Sequence, residues 1–328
     1  MRFRHGSHRS GLLARMTARR SSPAIAIGSW FFVAVAACGS PRGNASAVEP
    51  SSPATESAAV AVLLAAPVPA TVATAPPQTF TMAARGLGET RRINVYTPPG
   101  YAARGTRVPV LYMPDGGMEE DFPHLTATVD RLIREGTLPP MLVVGIEKTE
   151  RRRDLTGPTE VDEDRKIAPR VGGSAAFRAF VREELMPEVV RRYCTSADTA
   201  IIGESLAGLF IVETFLLEPA MFRRSAALSP SLWWNAERLA HGAPAQLAHV
   251  SKEPRALFVA SAGDDILPGI ERFAAALKAS APPQLRASYA PRPDLLHSNI
   301  YRSLSATALT AIFAWPPVEG GGACESVR

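Results

Sequence analysis

One run, Thr199-Ala-Ile-Ile-Gly-Glu-Ser-Leu-Ala-Gly-Leu-Phe210, constrains the fold more than any other stretch of the chain. Ala200, Ile201 and Ile202 form a compact apolar run that predicts a buried strand. Leu206 to Leu217 is almost wholly apolar and long enough for a buried helix. Gly203, Ser205 and Gly208 sit at the junction. A serine on a sharp strand-to-helix turn has its hydroxyl pushed out above the sheet, and the crowded backbone there needs small neighbours. The same turn puts the Leu206 N–H at a helix N-terminus, where it can meet a developing oxyanion. The strict pattern is Gly-x-Ser-x-Gly, whereas here Ala207 takes the second glycine place and Gly208 follows. Taken alone, the pattern leaves open an ordinary strand–turn–helix capped by a serine.

The rest of the chain repeats this alternation. Strands are expected at 92–96, 108–113, 141–146, 225–229, 256–260 and 285–289. Helices are expected at 125–135, 175–193, 270–277 and 298–315, the second carrying Phe177, Phe180, Val181, Leu185, Val189 and Val190 at helical spacing. Residues 149–173 are charged and glycine-containing, and predict a long surface loop or lid. Strands alternating with helices argue for one α/β domain over 79–316, with a mostly parallel sheet covered on both faces.

Ahead of that domain the composition changes. The formal charge of +5 misleads, because residues 1–37 hold six arginines and no acid. Without them thirty basic residues face thirty-one acidic ones, so nothing points to nucleic acid. The arginines precede a short apolar core that ends in Val35-Ala-Ala-Cys-Gly39, which predicts a lipoprotein-type signal over 1–37 with Cys38 as the lipidated residue. Residues 38–78, rich in Ala, Pro, Ser, Val and Thr, are expected to be a flexible tether, and 317–328 a C-terminal tail. The expected location is the bacterial cell envelope, with the exported domain held to the membrane by its lipid. Met16 is an alternative start.

Five segments come in one order: Val-Leu-Tyr-Met-Pro-Asp-Gly at 110–116, Arg153-Asp-Leu-Thr156, Glu184-Leu-Met-Pro187, the Gly203–Leu209 run, and Ser229-Pro-Ser-Leu-Trp-Trp234. As a set they resemble the esterase branch of the α/β-hydrolases, which includes siderophore esterases, S-formylglutathione hydrolase, feruloyl and acetyl-xylan esterases and the antigen 85 mycolyltransferases. The last segment resembles the siderophore-esterase subgroup. Ala207 departs from the family pattern, and so does Glu204, which stands where the family usually has His.

The resemblance implies an α/β-hydrolase fold whose triad follows the order Ser, acid, His. Ser205 is then the nucleophile. His297, after the last expected strand, is the base; His124 precedes the nucleophile, and His241 and His249 lie before the penultimate strand. The acid belongs just after 256–260, where Ser261-Ala-Gly-Asp-Asp265 offers two aspartates. Family turns of this kind place the acid last, so Asp265 is favoured, with Asp264 as the alternative and Glu271 as a more distant one. The oxyanion hole is expected to combine the Leu206 N–H with that of Gly116 or Gly117.

No cofactor and no metal are expected, since neither a Gly-rich nucleotide loop nor Cys/His metal spacing occurs. Cys194 and Cys324 are left to pair or to stay as free thiols. Arg152 and Arg153, with Arg151 and Trp233, are candidates for a rim that receives an anionic ester; a solvated charge run is the ordinary alternative. The partners expected are a small-molecule ester and the membrane, with the oligomeric state unassigned. An antigen 85-type acyltransferase and a silent ligand-binding lipoprotein remain as alternatives to a serine ester hydrolase.

Overall fold

The structure is a computed structural model and describes residues 75–101, 105–250 and 253–314. The signal, the tether, Cys38 and the C-terminal tail lie outside them.

Eight strands form one sheet: β1 (Gln78–Ala84), β2 (Glu89–Tyr96), β3 (Val108–Pro114), β4 (Leu142–Ile146), β5 (Thr195–Glu204), β6 (Arg224–Leu228), β7 (Arg255–Ala262) and β8 (Leu285–Arg292). Their spatial order is β1-β2-β4-β3-β5-β6-β7-β8. From β4 to β8 every pairing is parallel, and β1 and β2 are added antiparallel at one edge.

Strands buried on both faces need apolar residues at consecutive positions, and β3 shows why. Val110 and Tyr112 enter one core, while Leu111 and Met113 enter the other. Ile201 of β5 likewise opposes Ala200 and Ile202. Helices α1 (Phe122–Arg134) and α9 (Ile300–Phe313) cover one face through Leu125, Val129, Leu304 and Leu309. The other face carries α4 (Ser174–Phe180), α5 (Met186–Arg192), α6 (Leu206–Leu217), α7 (Trp234–Leu247) and α8 (Leu267–Ser280). Every residue of α6 except Glu213 and Leu217 is buried, which accounts for its lack of a polar stripe.

Three details differ from expectation. The sheet begins with β1, an edge strand whose alternating exposure includes Thr79 and Thr81 and leaves little apolar signal. The helix expected at 175–193 is α4 and α5 joined by a π-helical turn, Val181–Leu185. Residues 149–173 are a pinned insertion containing two short helices, α2 (Arg151–Leu155) and α3 (Asp162–Arg165). Buried Asp154 is bonded to the Arg91 guanidinium of β2, and buried Asp164 accepts from the Thr159 hydroxyl at 2.7 Å and the Asn235 N–H at 2.8 Å. Such bonds satisfy polar groups that a bare surface loop would leave to water. Sheet order, strand directions and the helices on both faces make this an α/β-hydrolase fold.

Candidate functional site

The site lies at the C-terminal ends of the parallel strands, where loops leave β3, β5, β6, β7 and β8. Ser205 is the residue between β5 and α6, with φ 59° and ψ −120°. A positive φ at a non-glycine residue costs about 1–3 kcal/mol and persists only where the surroundings enforce it. Here the Ser205 N–H donates to the Leu228 carbonyl at 3.0 Å, and its carbonyl accepts from the Ser231 N–H at 3.1 Å. Gly203 has to be glycine, because a Cβ there would stand 2.7 Å from the Ala207 Cβ. The methyl of Ala207 is accommodated because Gly203 has none. The Ser205 and Ser231 hydroxyls are 3.4 Å apart.

His297 and Asp265 come together from the ends of β8 and β7. His297 Nδ1 lies 2.7 Å from Asp265 Oδ1. The histidine side chain is 41% exposed and the aspartate 3%, so one can meet a substrate while the other cannot. Asp265 Oδ2 accepts from the Ala262 N–H at 2.7 Å. Burial by itself would raise the Asp265 carboxyl, but the bonds from His297 and Ala262 outweigh it and hold the carboxyl below its ordinary value. The bond to Asp265 raises the His297 pKa above its ordinary value against the effect of burial, and the charge on Glu204 adds to the rise. Asp264 also touches the histidine, but its Oδ1 accepts the His297 backbone N–H at 2.6 Å. His124 is engaged elsewhere, 3.1 Å from the Ser305 hydroxyl. Ser205 and His297 close no hydrogen bond with each other among the described residues.

The expected oxyanion donors need correction. The Gly116 N–H donates to the Ile146 carbonyl at 2.9 Å, and the Gly117 N–H to Glu120 Oε2 at 2.8 Å. Both are spent on holding the turn. Gly116 is glycine because a Cβ would fall 2.3 Å from the Gly145 Cα, so the turn can press against β4. The Leu206 N–H keeps its place as the first residue of α6, where it has no intrahelical partner.

Glu204 precedes Ser205. Burial pushes its carboxyl up to about 7, only partly offset by His297 and Arg151, so near neutral pH it is a mixture of acid and carboxylate. Of the expected rim, Arg153 is bonded to Glu89 and Asp154 with its side chain 14% exposed, and so serves as structure. Arg151 is paired with Asp115 at 2.7 Å. Arg152 is exposed and, among the described residues, bonds the Ile167 carbonyl and pairs with no carboxylate. Lys148, Arg151, Arg152, Arg153 and Arg170 line a cavity of about 750 Å³ that contains neither Ser205 nor His297. Trp233 is half-buried and packs edge-on against Trp234 at 6.0 Å. Cys194 is disulfide-bonded, and the chain's other two cysteines lie outside the described residues.

Sequence reasoning assigned no part to Ser231 or Tyr301. The Ser229–Trp234 run was legible as a motif, but nothing in it signalled that the Ser231 hydroxyl would come within 3.4 Å of that of Ser205.

Among solved structures, the chain is similar to an IroE-like serine hydrolase from Shewanella oneidensis (TM-score 0.67, 24% identity, 73% of this chain and 80% of that one). It is also similar to the siderophore hydrolase EstB from Aspergillus nidulans (TM-score 0.63, 21% identity, 76% of this chain and 98% of that one). In sequence it is 34% identical over 155 residues to the ferri-bacillibactin esterase BesA of Bacillus subtilis, covering 42% of this chain and 52% of BesA. The chain thus spans about half the length of that relative. Residues 84–262 match the family described as "Putative esterase", and the chain belongs to that family.

Proposed function

We propose that this chain is a serine carboxylic-ester hydrolase in which Ser205 is the nucleophile, His297 the general base and Asp265 the orienting acid. The observations that carry the proposal are the 2.7 Å bond between His297 Nδ1 and buried Asp265 and the positive φ of Ser205 on the turn after β5. That bond fixes the tautomer, so Nε2 is the nitrogen left to take the Ser205 proton. The Ser205 oxygen attacks the ester carbonyl, and the Leu206 N–H donates to the developing oxyanion. His297 then gives its proton to the leaving alkoxide, leaving an acyl-enzyme that water cleaves by the same route. Unliganded sites often hold the serine and histidine apart until substrate closes the contact. With Gly116 and Gly117 engaged, the second donor falls to the next N–H of that turn, that of Met118.

For the substrate class, the relatives' names and the cationic cavity along 148–153 together favour an anionic, siderophore-like ester. Arg152 is a rim cation whose charge no carboxylate among the described residues offsets. The test is turnover of p-nitrophenyl butyrate and of a ferric catecholate ester by the purified chain. Hydrolysis of neither, by folded protein, overturns the proposal. The lipid anchor at Cys38 is a separate proposal, tested by the loss of membrane partition in Cys38→Ser.

A further inference from the structure

A second cavity, of about 320 Å³, is lined by Gly203 and Glu204, the residues that precede Ser205 in the chain, and shares Lys148 and Arg151 with the cationic one. Its walls come from the turn after β3, the last residues of β5 and the start of α9. Five carboxylates line it against three cations.

Each cation is already spent. Arg151 pairs with Asp115 at 2.7 Å, Lys148 with Glu120 at 3.5 Å and Arg302 with Asp121 at 3.4 Å. That leaves Glu119, which is exposed, and Glu204, whose carboxyl has no hydrogen-bond or ion-pair partner among the described residues. Tyr301 of α9 lines the same cavity. It is 5% exposed, and its buried hydroxyl closes no hydrogen bond. Two residues that line one cavity thus each carry a polar group without a partner among the described residues, one of them next to Ser205 in the chain. A polar group removed from water and left unpaired is unfavourable, so a ligand that pairs both gains on each.

We propose that Glu204 and Tyr301 form a subsite for a protonated amine carried by the substrate. An ammonium N–H donates to the Glu204 carboxylate and another to the Tyr301 oxygen, and its charge offsets the carboxylate excess. A neutral hydroxyl supplies the bonds without the charge, and an anion is repelled. A metal ion needs converging ligands, and no group of three acidic, His or Cys side chains among the described residues is arranged to hold one. Arg151, at the wall between the two cavities, separates a cationic compartment from an acidic one, so the substrate class is an ester with an anionic part and an ammonium part. When the amine is absent, burial discourages the Glu204 charge and so do the nearby charges of Asp121 and Asp115, while those of His297 and Arg151 favour it.

The inference rests on the ester-hydrolase proposal, and its test separates the two. The whole chain is assayed with 4-aminobutyl butyrate, whose primary ammonium has N–H groups for both bonds, and with pentyl butyrate, its uncharged carbon isostere. The ratio of the two kcat/KM values is expected to fall about tenfold in Glu204→Gln, the scale of one half-buried ion pair, and to fall in Tyr301→Phe. That second change removes only an unpartnered hydroxyl and spares the fold. Calorimetric titration with butylammonium needs no turnover, and its Kd should weaken about tenfold in Glu204→Gln. Equal ratios in wild type and both variants, or no binding of the ammonium by wild type, overturn the subsite. Failure to hydrolyse either ester overturns the hydrolase proposal alone, leaving the titration to decide the subsite.

Discussion

Asp264 and Asp265 both touch His297, one through the backbone N–H at 2.6 Å and the other through ring Nδ1 at 2.7 Å. Neighbouring side chains point apart, so the pair grips the histidine from two sides. Only Asp265 controls the tautomer of the ring. Asp265→Asn is therefore expected to cut turnover of p-nitrophenyl butyrate by roughly 10²–10⁴, and Asp264→Asn by about tenfold or less. Steady-state kinetics of the two variants decides the matter, and the reverse ranking transfers the role to Asp264.

Ser205→Ala is expected to leave less than about a tenth of the activity with little change in thermal midpoint. The alanine keeps the strained backbone, and the lost hydroxyl has only the 3.4 Å contact with Ser231. Retained turnover in a folded variant removes the nucleophile assignment.

His297 must be neutral to accept a proton, and its pKa is raised above the ordinary 6.5. The acid limb of kcat/KM should therefore lie above that value. Because the Glu204 charge contributes to the rise, Glu204→Gln should move the limb to lower pH. A profile that does not move separates the two groups.

The same carboxyl affects stability. Its folded pKa of about 7 exceeds the ordinary 4.5, so between those values the folded state binds more protons than the unfolded. Stability from this group is then greatest below the ordinary value and declines as pH rises toward about 7. Glu204→Gln should melt higher than wild type at pH ~8, with the gap closing toward pH ~4.5. Melts across that range test it, and a gap that widens on acidification contradicts the sign.

Gly116→Ala forces a Cβ to within 2.3 Å of the Gly145 backbone. Neither side of that contact is a flexible side chain, so the turn has to move. A loss of about 3 kcal/mol is expected from overpacking of this kind, measured as a lower urea midpoint with unchanged slope.

Much of this was legible in the chain because burial on both faces leaves a strong local mark. The apolar runs of β3, β5 and β7 need no partner in sequence to be recognised, and Gly203-Glu-Ser205 announces its own turn. His297 and Asp265 followed from their order along the chain. What stayed hidden depended on long-range pairing. The Gly116 and Gly117 donors look free in sequence, and only the approach of β4 and Glu120 shows them occupied. Arg153 belongs to a run of three arginines that reads as a uniform patch, yet its partner Glu89 lies 64 residues away. The β1 strand was faint because a solvated edge carries few apolar residues.

The order in which these pieces leave the ribosome has a further effect. Ser205 is made well before Asp265, and His297 comes 32 residues after the aspartate, on the far side of β8. Parallel pairing is slow to form because its contacts are distant in sequence. A nascent chain therefore displays its serine without a base until β8 has docked on β7 and α9 has closed over the sheet. Under the proposed chemistry, the polypeptide is inert toward esters until its C-terminal part has been made and β8 has docked on β7.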